Sequence, residues 1–435
     1  MAQQYQPSSW ACLACPDITE IIPDMNRSRA LISLFFGIVL VSCSGDANEP
    51  LVSPTPPVPV PTPVVAPVLQ VLGQGSVAAR FSAEVTVGGR YAYSSTWGTR
   101  NGLRGNAIYV WDLAAAQPVL IDSVIVADAG TLGDIQVVSD AALLVVAVEP
   151  APRGALLVFD LANSARPVLL TRYETAATAN GVHTAQVSRV DGRLLAFLCI
   201  DPRGSDPARL VIVDLAIPAM PVQLTSLVIG APFVHDVSVR DGILLTAEWN
   251  DGMAAYDIGG GGRGGTPSAP ALLGRVRTVG GSVHNVHWLR DSVSGARYAL
   301  IGEEGPGVLG SSSAGDVHVV DVSSWSAMRE VAYLRVPAAG THNFWVDESA
   351  GVLYAAYYNA GIRALDVRGD LSACTADARD AVGRCDLARM GRVVGGALGD
   401  RQTSVWGVDG TDGSVIVSDM LNGIWRVAKA TTRTR

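Results

Sequence analysis

Between residues 234 and 276 the chain alternates apolar runs with turn-forming clusters four times over. Residues 234–239, 243–249, 253–258 and 271–276 are rich in β-branched or apolar side chains, and Gly, Asp, Asn or Pro separates them. Four short strands in a unit of about forty to fifty residues predict one blade of a β-propeller. Six more copies align with it. The innermost strands carry Glu84, Asp134, Thr184, Asp236, Asn285, Asn343 and Ser404 at one equivalent position. The third strands end on Asp112, Asp160, Asp214, Asp257, Asp321 and Asp366, and the seventh copy has Ala428 there instead. An Asp at a strand end caps the following turn by accepting backbone N–H bonds.

The fourth strand often opens on Pro, as at Pro118, Pro167, Pro221 and Pro270, but no such strand follows the third strand of the seventh copy. Residues 67–72, Pro-Val-Leu-Gln-Val-Leu, have the missing pattern. They are expected to complete the last blade and cover the edges of an open ring. The fold class is thus all-β, a seven-bladed propeller of four-stranded antiparallel blades over residues 67–430, closed by an N-terminal strand. Leu210-Val211-Ile212-Val213-Asp214 and the His235-Asp236-Val237 opening resemble the LVIVD repeat family of bacterial secreted propellers. The resemblance implies an extracytoplasmic propeller and names no chemistry.

Composition adds the setting. With 46 Gly and 17% charged residues the chain reads as β-rich and turn-rich, and a net charge of −8 without a basic run argues against a nucleic-acid partner. Residues 25–43, MNRSRALISLFFGIVLVSC, combine Arg27 and Arg29, an apolar stretch too short to span a bilayer, and a lipobox-like Leu-Val-Ser-Cys. Translation is expected to start at Met25, residues 1–42 to be an upstream extension plus signal peptide, and Cys43 to carry lipid. Residues 44–66 are Pro-rich and read, with Cys43, as an extended tether. The expected location is exported and membrane-anchored, in the periplasm or at the cell surface. Four insertions interrupt the repeat: 98–106, 259–268 (Gly-rich and expected to be mobile), 303–315 and 368–389. The last holds Cys374 and Cys385, either a disulfide or two free thiols. Cys199, in an apolar run, reads as a buried small hydrophobe.

Candidate chemistry sits on the innermost strands. His183, His235, His284 and His342 recur at one repeat position. Strict strand alternation places them with Ala185, Val237, Val286 and Phe344 on the face packed between blades, where they bond neighbouring groups. The same alternation turns Glu84, Asp134, Asp236, Asn285 and Asn343 to a water-filled channel, with His287 and Trp406 two residues beyond the last shared positions of their copies. Two ligand sets follow. The four histidines, with His287, suit a transition metal. The oxygen-bearing ring of Glu84, Asp134, Asp236, Asn285 and Asn343 suits Ca²⁺. Trp97, Glu149, Asp201, Trp249, Asp251, Glu303, Glu304 and Tyr358 form an acidic, aromatic rim for a cation, sugar or peptide. No Ser-His-Asp order, phosphate loop, dinucleotide fingerprint or HExxH pattern occurs. The leading expectation is a binding or scaffolding module of the cell envelope, with an envelope protein, peptide or glycan as partner. The rival is a metal-dependent enzyme using the repeated His.

Overall fold

The computed structural model describes residues 67–431 apart from 151, 231, 291–296 and 306–314. The expected signal segment, Cys43 and the Pro-rich tether lie outside the described residues. Seven antiparallel sheets form the blades of a propeller. Six are continuous in sequence, over residues 81–125, 132–173, 182–228, 236–276, 283–334 and 344–397. The seventh comprises Val405–Gly410, Ser414–Asp419 and Gly423–Ala428, with Val71–Ser76 added as its outer strand.

The closing strand lies a little later than residues 67–72. Pro67 has no N–H to give a ladder, and the segment it opens is held by blade six instead: Leu69 donates its N–H to Gly396 O at 2.8 Å, and Val68 bridges Gly396 in parallel. The chain then crosses to blade seven and pairs Val71 with Val427 through Ser76 with Gly423.

Apolar side chains gather into clusters that each bridge two adjacent blades. Phe197, Leu210, Leu244 and Tyr256 join blades three and four. Val85, Trp111, Ile416 and Ile424 join blades seven and one. Each blade has a neighbour on both faces, so its middle strands are apolar throughout rather than alternating. Leu143–Val148 is buried at every position. Fully burying a Leu, Val or Phe side chain contributes about 1.5–3 kcal/mol, and the ring repeats that gain at every interface.

Polar residues stitch the inner strands together. These strands are sheet edges, and their inward N–H and C=O groups need partners. Asp409 of blade seven accepts the Val87 N–H of blade one at 2.7 Å, and Thr86 Oγ1 accepts the Val137 N–H of blade two at 3.0 Å. Gln136 bonds both the N–H and the C=O of Val187 in blade three, at 2.6 and 3.1 Å. Thr184 Oγ1 donates to His235 O, Asp236 accepts the Val286 N–H at 3.2 Å, Asn285 Nδ2 donates to His342 O at 3.0 Å, and Asn343 N–H donates to Trp406 O at 3.2 Å. The circuit closes on itself.

The third-strand aspartates cap their turns, as from Asp160 to Ala162 N–H at 2.7 Å and from Asp214 to Ala216 N–H at 2.8 Å. Asp257 goes further: its carboxylate accepts four N–H groups, from Gly259, Gly261, Arg263 and Gly265. The Gly-rich insertion expected to be mobile is therefore wound around one anchor. In the insertion of blade six, Cys374 and Cys385 form a disulfide. Cys385–Asp386 pairs in parallel with Arg329–Leu334, so blade five has five strands rather than four. Cys199 is a free, buried thiol.

Candidate functional site

Each of the four repeated histidines sits at a break in strand pairing. In blade three Val182 faces Ile200 and Thr184 faces Cys199, leaving His183 as the extra residue, and His284 is left over in the same way between Val283 and Asn285. His235 N–H donates to Ala247 O while Asp236 already pairs with Ala247. His342 N–H donates to Ala356 O, and the Ala356 N–H returns to Asn343 O. These are β-bulges, which interrupt alternation and re-aim a side chain.

The consequence overturns the expected packing of the histidines between blades. They face one another. The ring of His183 lies 4.4 Å from that of His235, His235 lies 3.9 Å from His284, and His284 lies 4.3 Å from His342, all between centroids. His342 stacks on Trp406 at 4.0 Å, Trp406 meets Trp97 at 5.6 Å, and Trp97 meets His183 edge-on at 5.9 Å. The six rings form a closed circle. Blade two has Gly133 at the histidine position because a Cβ there would meet His183 O at 2.5 Å.

Carboxylates enter from the residues that follow second strands. Glu149 follows Leu143–Val148, Asp201 follows Arg193–Ile200, and Glu304 follows Arg297–Glu303. Glu149 Oε1 lies 2.7 Å from His183 Nδ1 and Asp201 Oδ1 lies 3.9 Å from it. Glu304 Oε2 is 3.6 Å from His284 Nε2, and the carboxylate accepts the Tyr358 hydroxyl. Two ligand groups result. His235, His284 and Glu304 offer atoms all within 4.8 Å of one another, and so do Glu149, His183 and Asp201. His183 Nε2 and His235 Nε2, 2.8 Å apart, share a hydrogen and join the groups.

The electrostatics divide the histidines. Burial disfavours a charged His183, but Asp201 and Glu149 beside it overcome that and lift its pKa to about 10. Burial, reinforced by neighbouring imidazoles, holds His235, His284 and His342 well below the ordinary range, so these three are neutral. Burial also lifts Glu304 to about 7, although 22% of its side chain is open to the mouth, and Asp201 to about 7. His284 is 1% exposed, and neither of its ring nitrogens has a hydrogen-bond partner. His235 Nδ1 and Asp201 Oδ2 are buried and unpartnered as well.

The rim is sorted by the same geometry. Trp249 packs on Phe233 at 4.7 Å and on His235 at 5.5 Å. Tyr358 lies edge-on to His342 at 5.4 Å. Trp97, Trp249, Tyr358 and Glu304 thus border the histidines, as do Glu149 and Asp201. Glu303 does not: it turns to the buried His318, 3.1 Å from its Nε2. Asp251 pairs with Arg277 at 3.1 Å. His287 lies 3.5 Å from Glu348 and stands apart from both ligand groups. Phe233 carries no sequence signal beyond its place two residues before His235.

The expected Ca²⁺ ring is not assembled. Among the described residues Glu84, Asp134 and Asp236 form no group of ligand atoms within 4.8 Å. Asp134 accepts the Ala185 N–H at 3.3 Å, and Asp236 is the clamp between blades four and five. The Asn285 side chain is spent on the same stitching, and the Asn343 side chain is hydrogen-bonded to Glu84. Burial raises Glu84 to about 8, Asp236 to about 8 and Asp134 to about 6, with mutual repulsion adding to the first two. Near neutral pH Glu84 and Asp236 therefore keep their protons, while Asp134 has largely lost its own. No family model matches the chain, and no curated protein matches it.

Proposed function

We propose that the protein is a metal-dependent hydrolytic enzyme on an exported, lipid-anchored propeller. His235, His284 and Glu304 would hold one divalent transition-metal ion. The observation that carries this reading is His284, buried with both ring nitrogens unpartnered, beside the unpartnered Nδ1 of His235 and a carboxylate at 3.6 Å. Leaving a buried polar atom unsatisfied costs about 1–3 kcal/mol. Coordination would remove that cost, and imidazole with carboxylate suits Zn²⁺, Fe²⁺ or Mn²⁺. Three protein ligands leave a coordination position open, the arrangement in which a bound ion lowers the pKa of water and polarises a substrate oxygen. Trp249, Phe233 and Tyr358 supply the walls against which a substrate packs.

Elemental analysis of the untagged full chain tests the reading. Near-stoichiometric transition metal, lost in His284→Ala and in Glu304→Gln, is expected. Metal-free protein that takes up no Zn²⁺ would overturn it. The aromatic and acidic mouth favours a second reading, a binding or scaffolding module for an envelope protein, peptide or glycan. Metal-free protein that still captures such a ligand, and loses it in Trp249→Ala, would favour that one.

The tether rests on the sequence. Residues 25–43 support export and lipid attachment at Cys43 to a membrane, and the Leu210–Asp214 motif supports a place among LVIVD-repeat propellers. Metabolic labelling with a radioactive fatty acid should mark the protein and fail in Cys43→Ala.

A further inference from the structure

We propose that Glu149, His183 and Asp201 hold a second divalent ion beside the one assigned to His235, His284 and Glu304, so that the propeller carries a paired-ion centre that takes an oxyanion across both ions. This deepens the proposed function and rests on it.

Three observations carry the inference. First, Glu149, His183 and Asp201 present one imidazole and two carboxylates with ligand atoms all within 4.8 Å, the same compactness as the first group. Second, Asp201 is 8% exposed, and its Oδ2 has no hydrogen-bond partner although Oδ1 is 3.9 Å from His183. A buried carboxylate oxygen without a donor is costly unless a cation meets it. Third, the two groups abut. His183 Nε2 and His235 Nε2 are 2.8 Å apart, and only a shared proton now separates them. One histidine of each group thus touches a histidine of the other, as neighbouring ligands of a two-ion centre do.

Charge fixes the class of ligand. Glu149, Asp201 and Glu304 bring three negative charges, and the imidazoles, once they are ligands, bring none. One divalent ion, with His183 still protonated by its carboxylate neighbours, leaves the centre neutral and without a charge to draw an anion. Two leave it with one positive charge, which an oxyanion bridging both ions neutralises. A phosphate ester is therefore the substrate class, its anionic oxygen held from both sides. The aromatic walls at Trp97 and Trp249 flank the two ion positions, Trp97 against His183 and Trp249 against His235, and would receive the organic part of the ester.

The test counts ions. The full chain, stripped with a chelator and dialysed, is titrated with Zn²⁺ and separately with Mn²⁺. Wild type should saturate at two ions per chain. Glu149→Gln and Asp201→Asn, each isosteric, should saturate at one while still unfolding cooperatively in the metal-free state. The Mn²⁺ electron paramagnetic resonance spectrum should show coupled, broadened lines in wild type and isolated six-line spectra in the variants. Inorganic phosphate should bind the two-ion protein at least tenfold more tightly than the one-ion variants. Saturation of wild type at one ion would overturn this inference and leave the proposed function standing. Saturation at zero would overturn both. Two ions retained in both variants would overturn the ligand assignment, and equal phosphate binding by one-ion and two-ion forms would overturn the bridging role.

Discussion

Glu84→Gln is the most discriminating single change in the scaffold. Glu84 is 7% exposed, lies 3.5 Å from His342 Nδ1, and is hydrogen-bonded to the Asn343 side chain. Burial, with repulsion from Asp134 and Asp236, raises its pKa from 4.5 to about 8. The folded chain therefore keeps a proton that the unfolded chain releases above pH 4.5. Protons bound in excess by the folded state make stability fall as pH rises. The Glu84 contribution is fully present below about pH 4.5 and is lost progressively until about pH 8. Each unit is worth about 1.36 kcal/mol, so between pH 5.5 and 8.5 wild type should lose about 3 kcal/mol on account of this residue. Gln keeps the shape and the hydrogen bonding without the titration. In urea melts of metal-free protein, the difference in unfolding free energy between Glu84→Gln and wild type should move by about 3 kcal/mol in favour of the variant across that range. Asp134 and Asp236 titrate in the same direction in both proteins and largely cancel. Parallel pH profiles for the two proteins would refute the claim that Glu84 is held protonated.

Two further expectations follow from packing and covalent structure. Replacing both Cys374 and Cys385 with Ser opens a short loop, with a sequence separation of 11. Loop-closure entropy sets the expected loss at about 3 kcal/mol, read as a lower urea midpoint that matches wild type under reducing conditions. Gly133→Ala places a methyl against His183 O, 2.5 Å from the ideal Cβ position. It should cost about 1–3 kcal/mol by overpacking and weaken Zn²⁺ uptake, whereas an unchanged melting temperature and affinity would show that blade two has slack there.

The architecture was legible because a propeller writes itself as a repeat. Third-strand aspartates and middle-strand apolar runs recur in register, and each reports a local rule that holds in any blade. The missing fourth strand of the last copy was legible for the same reason. The candidate site was legible in its residues and not in its arrangement. His183, His235, His284 and His342 stood out as a column, but alternation sent them to the wrong face. A bulge adds one residue and reverses the parity of everything before it, and nothing in Val182-His183-Thr184 announces the extra residue. The carboxylates behaved in the opposite way. Asp134 and Asp236 looked like channel ligands, yet edge strands crowded around an axis need acceptors for their inward N–H groups, a demand visible only once neighbouring blades are in place. Glu149, Asp201 and Glu304 could be named as rim residues, while Glu303, adjacent in sequence to Glu304, points the other way. The closing role of Trp406 depends on a contact with Trp97, in a blade distant in sequence, whereas Phe233 packs on His235 and Trp249 of its own blade.

The pairing of Val71–Ser76 with Gly423–Ala428 also sets a timetable. Adjacent blades can assemble as soon as their own residues are available, since most of their contacts span tens of residues. The last blade cannot. Its outer strand is among the first described segments of the chain and its other three are among the last, so it must wait until about 350 intervening residues have been laid down, and closing a loop of that length costs about 5 kcal/mol in chain entropy. The ring should therefore form late and in one step, after a slow search characteristic of distant contacts. Until then the chain is an open arc of blades with two bare edges, and that interval is when it is most exposed to edge-to-edge association.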